Sequence, residues 1–143
     1  MLRRPTIVSH YLKRALCFHR SASELFALEK ERHGATIGLL AVHASIALAD
    51  AILASVASED PRKRDDHAVA ARALGDWCSA NSLSSEGTKH FAWLLGRKSR
   101  FSYESSRVES SDFDNAKVRM DRFFAWGFRT FPEVAQLKEQ SDE

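Results

Sequence analysis

A chain of 143 residues, 44% of them hydrophobic and 28% charged, is long enough to bury one core and too short for two ordinary domains. That apolar content excludes a disordered chain, and a formal net charge of +2 excludes a whole-molecule field able to hold a polyanion. Six glycines and three prolines are too few for the turns of a many-stranded sandwich or barrel. The expectation is a single all-α domain over residues 1–143, with its core over 6–130 and a frayed acidic tail over 133–143.

In chain order, Leu12, Ala15, Leu16, His19, Ala22, Leu25 and Phe26 recur at three and four residues, which predicts a helix over 6–32 ended by Gly34 as a C′ residue. A second helix follows over 36–57. Its small residues Ala44, Ala47, Ala51 and Ala54, flanked by Ile37, Leu40, Leu48 and Ile52, suit a central rod approached from several sides. Residues 38–57 are apolar enough to suggest a membrane span, but His43 and Asp50 lie inside them, so a buried helix with no membrane role is expected.

Residues 58–66, SEDPRKRDD, read as a charged loop in which Asp65 or Asp66 caps a third helix over 67–80. A shorter helix over 85–95 closes at Gly96, and residues 96–112, polar and serine-rich, read as a loop carrying Phe101 and Tyr103 in a basic segment. Ser111 or Asp112 then caps a long helix to 130 whose Phe113, Ala116, Met120, Phe123, Phe124 and Phe128 form an apolar face. Pro132 starts a short last turn. The sum is an antiparallel bundle of four main helices plus a short one.

Chemistry-bearing residues are few. Arg3, Arg4, Lys13, Arg14 and Arg20 make the first twenty residues basic without a carboxylate, while Glu133, Glu139, Asp142 and Glu143 make the last eleven acidic. Such blocks are solvated faces first and nucleic-acid contacts second. Cys17 and Cys78 lack a CxxC or a histidine at ligand spacing, so no zinc, other metal or disulfide framework is expected, and a cytoplasmic location fits. The first twenty residues lack the apolar block of a secretory signal. No motif asks for a cofactor.

His43 and Asp50 sit seven apart, on one stripe of the second helix. A carboxylate in such a rod needs a cation or several donors. Lys98 or Arg100, with Tyr103 at the edge, are the expected partners, so that Asp50 anchors the segment before the last long helix.

The order of these segments resembles the HEPN domain family. The resemblance covers about residues 6–130 and rests on AVHASIALADAIL (41–53), HAVAARAL (67–74), LLGRKSRFSYES (94–105) and DFDNAKVRMDRFFAW (112–126). It implies a helical bundle that pairs as a homodimer. Family members are either metal-independent ribonucleases of toxin and defence systems or non-catalytic modules that bind RNA, nucleotides or a nucleotidyltransferase-like protein.

The catalytic members carry an Arg, four to six intervening residues and a His late in the bundle. Here Arg97 and Arg100 occupy that region, but positions 102–107 hold no histidine, and metal-free RNA cleavage needs a group that moves protons near neutral pH. A non-catalytic module is therefore expected, binding through His43, Asp50, Arg97, Lys98, Arg100 and Tyr103. The alternatives are a ribonuclease with a displaced pair, for which Arg62 and His67 are the candidates, and a purely structural dimeric subunit. The same spacing also occurs from Arg14 to His19 and from Arg3 and Arg4 to His10.

Overall fold

Small side chains decide the centre of this fold. In the computed structural model, which describes residues 4–57 and 66–141, α1 (Arg4–Glu29) is followed by α2 (Gly34–Val56), and the alanines of α2 are buried around its whole circumference. Val8 shares a cleft with Ser55 and Val56, whereas Phe18 meets His43; the two helices therefore run antiparallel. By length and composition α2 could cross a membrane, yet the bundle covers most of it, as befits a core helix.

The first boundary differs from expectation. α1 stops at Glu29, and Gly34 opens α2 instead of terminating α1. No described glycine has a positive φ, so Gly34 is not a left-handed cap. A Cβ there would lie 2.4 Å from Cδ1 of Phe113, and the residue is small because that ring presses on it.

α3 (His67–Ala80) begins as expected: the Asp66 carboxylate accepts the Ala68 N–H at 2.9 Å, satisfying one of the orphan donors of the first turn. α4 (Glu86–Gly96) follows. The stretch read as a loop is instead α5 (Lys98–Tyr103) and one 3₁₀ turn (Ser105–Arg107). Its polar, serine-rich composition hides the one side chain that matters there, Phe101, which is 3% exposed and packs on Gly38.

α6 (Ser110–Thr130) is capped by Glu109, not by Ser111 or Asp112. Asp112 sits at the third helical position and its carboxylate accepts the Glu109 N–H at 2.9 Å, completing a capping box. α6 lays Phe123 against Phe91 of α4 in a stacked pair with centroids 5.1 Å apart, and Trp126 lies 5.7 Å from Phe123. The Trp126 indole also donates to the Ser84 carbonyl at 3.0 Å. Fully buried aromatics of this size each contribute about 2–3 kcal/mol.

α7 (Pro132–Ser141) replaces the frayed tail expected from 133 onwards. Pro132 occupies the first helical position, Phe131 and Val134 are buried, and the Ser55 hydroxyl donates to Glu133 at 3.3 Å. The architecture is all-helical among the described residues. α1, α3, α4, α5, α6 and α7 all pack against α2.

Candidate functional site

α2 brings His43 and Asp50 to the same side, as their spacing predicts, but the helices that face them are α1 and the start of α3. Tyr11, Arg14 and Phe18 of α1, His43 and Asp50 of α2 and His67 of α3 line a cleft of about 260 Å³. Asp50 is 8% exposed. The Phe18 and His43 rings lie 6.0 Å apart at 41°, and the Arg14 guanidinium sits 5.9 Å from the Phe18 centroid. Burial, followed by the charges of Lys98, His67 and Arg14, lowers the His43 pKa below 6.5. That imidazole is neutral at pH 7.

The segment 97–103 distributes its predicted site residues elsewhere. Because α5 is a helix, Lys98 and Arg100 point about 160° apart. Lys98 acts on His43 from α5 by its charge. Arg100 instead donates through Nη1 to Oδ1 of Asp112 at 3.1 Å, tying α5 to the first turn of α6. The expected anchoring of Asp50 by Arg100 is thus corrected, because Arg100 pairs with Asp112; Lys98 is not among the residues that line the Asp50 cleft. Tyr103 is 88% exposed and lies outside that cleft. The Arg97 guanidinium stacks over Trp93 at 4.8 Å.

The rival histidine positions also resolve. Arg14 and His19 are five apart on α1, hence about 140° apart around it: Arg14 enters the cleft, whereas His19 turns to α6, with Nε2 2.9 Å from Oδ1 of Asp121 and its ring 4.5 Å from Phe124. Arg62, Arg3 and the Arg4 side chain lie outside the described residues, so the pairs Arg62–His67, Arg3–His10 and Arg4–His10 have no described geometry. His67 nonetheless shares a cleft with His43 and Asp50, two candidates that the sequence had kept apart. Tyr11 is not among the residues the sequence offers for a site, and Arg14 is offered only in the basic first segment and the Arg14–His19 spacing. Helical periodicity places them on α1, but no local signal says which helix they face.

Chemically, the cleft combines a guanidinium suited to bidentate contact with phosphate or carboxylate, a neutral imidazole, a second imidazole and a nearly buried carboxylate able to accept N–H donors. Among the described residues no group of three His, Cys, Asp or Glu side chains is placed to hold a metal ion. No protein-family model, curated protein or solved structure matches the chain.

Proposed function

We propose that this chain is a HEPN-like helical module, non-catalytic, that binds a phosphate-bearing ligand, RNA or a nucleotide, in the cleft between α1, α2 and the start of α3. On this reading it assembles as a homodimer or with a nucleotidyltransferase-like protein, in a toxin–antitoxin or defence-type setting. The observation that carries the ligand class is the convergence of Arg14, His43, His67 and Asp50 on one cleft of about 260 Å³. Arg14 supplies the phosphate contact, the Phe18 and Tyr11 rings flank a base, and the Asp50 carboxylate accepts its N–H edge. Titrating purified protein with guanosine and adenosine nucleotides by calorimetry tests this. Arg14→Ala and Asp50→Asn should each weaken binding at least tenfold with the helical circular dichroism retained. Wild-type affinity in both variants would refute the assignment.

A second reading is favoured by one observation, the shared cleft of His43 and His67. One imidazole held neutral as a base and another able to return a proton are what metal-free phosphodiester cleavage requires. Cleavage of total RNA in the presence of chelator, abolished by His67→Ala, would establish it in place of the binding role.

A further inference from the structure

The charges of α6 are sorted by face. Its carboxylates turn away from α4: Asp112 accepts from Arg100 of α5, Asp114 from Lys30 at 3.1 Å, and Asp121 from Lys117 of α6 itself while contacting His19 of α1. Its arginines turn toward α4. Arg122 and Arg129 line a shallow cleft with Glu86 and His90, and Arg119 donates from Nη1 to Nδ1 of His90 at 3.2 Å. Lys89 and Arg97 add two cations from α4 and its end. Against these five stands Glu86, already engaged by Lys89 at 3.3 Å.

These cations are held, not merely exposed. The Arg97 and Arg119 guanidiniums lie 4.8 and 5.4 Å from the Trp93 ring centroid, a cation–π arrangement that fixes both around one indole. Accepting from Arg119 leaves the His90 imidazole its proton on the other nitrogen. Burial, and then Arg119, Lys89 and Arg122, lower its pKa. Among the described residues Arg119, Arg122 and Arg129 have no carboxylate partner. Clustered like charges cost stability unless a counter-charge arrives from outside.

Arg119, Arg122 and Arg129 follow at intervals of three and seven, so the row extends about 15 Å along α6. Between Arg119 and Arg129 the only exposed α6 residue besides Arg122 is Ala125, and Val118 lies exposed just before the row. Arginine and tryptophan are enriched in protein interfaces too, so what singles out a polyanion here is the charge balance, five cations facing one carboxylate that Lys89 already engages. We propose that the double row on α4 and α6, built from Lys89, Arg97, Arg119, Arg122 and Arg129, is a binding strip for the phosphodiester backbone of a single-stranded nucleic acid. The α6 arginines alone extend about 15 Å, the course of one backbone. The strip is separate from the His43–Asp50 cleft and stands whether or not that cleft takes a nucleotide.

The test is fluorescence anisotropy of a labelled twelve-residue oligouridylate with the full chain, from 50 to 200 mM salt. About four phosphate contacts on a single strand give a slope of log K against log salt near −3. R122E/R129E changes two exposed, carboxylate-free positions. It should lower the affinity at least tenfold and the steepness of the slope by about 1.4, with the urea midpoint not lowered. K13E/R20E on α1 makes the same net-charge change and should leave both intact. Equal binding by R122E/R129E and wild type, equal loss in K13E/R20E, absence of binding at 50 mM salt, or preference for polyglutamate would each overturn the strip. Loss in Arg14→Ala alone would assign the RNA to the cleft and overturn the strip as well.

Discussion

The glycines allow one chemical change to be read with opposite signs. At Gly38 a Cβ would stand 2.3 Å from Cδ1 and Cε1 of Phe101 and 2.5 Å from its Cγ, and at Gly87 it would stand 2.1 Å from Cδ2 of Trp126. Both neighbours are rigid rings in a packed interior, and each must withdraw by about 1 Å to reach ordinary contact. Over-packing of this kind costs about 1–3 kcal/mol. With three ring atoms inside the contact at Gly38, the upper figure applies. Alanine returns about 1 kcal/mol of helix propensity, so Gly38→Ala should be destabilised by about 2 kcal/mol, and Gly87→Ala comparably.

At Gly75, within α3, a Cβ meets nothing within 4 Å. There only the propensity term survives, and Gly75→Ala should be stabilised by about 0.5–1 kcal/mol. Urea unfolding followed by circular dichroism at 222 nm measures all three. If Gly38→Ala were stabilised as much as Gly75→Ala, then Phe101 would not be seated on α2, and the placement of α5 would fall with it.

Asp112 serves both Arg100 and the Glu109 N–H, so Asp112→Ala should lose about 2 kcal/mol, with Asp112→Asn recovering part of it in the same titration. Acid should weaken the fold through two imidazoles. His43 and His90 both have pKa values lowered by burial first and neighbouring cations second. The unfolded chain therefore binds more protons below pH 6.5 than the folded one does. Their contribution is complete above that pH and is lost as pH falls toward and through the folded values. The urea midpoint should drop between pH 7 and 5, and H43Q/H90Q should flatten the drop; a rise on acidification would contradict the burial of both rings.

What the sequence disclosed and what it withheld divide along a physical line. Properties that belong to one helix were legible: the all-round burial of α2 follows from its alanines, the start of α3 from Asp66, the apolar face of α6 from its phenylalanines, and the shared side of His43 and Asp50 from a spacing of seven. Properties set by a distant partner were not. Gly34 resembles a helix stop, and only the ring of Phe113 shows why a side chain is excluded there. Arg100 is a reasonable counter-ion for Asp50 if residues 96–112 form a loop, as their composition suggests. Once they coil, Arg100 reaches Asp112. The Arg14–His67 side of the cleft depends on which helices flank α2, and no spacing within one helix encodes that.

The central position of α2 has a consequence for separability. A break between residues 57 and 66 leaves one fragment holding the axle and another holding α3 to α7, all five of which lose their packing against α2. The first piece keeps the packing of α1 on α2 and the second the ring stack between α4 and α6, but neither keeps the joint core. A split version would regain the whole shape only through reunion of both halves around the alanine shaft.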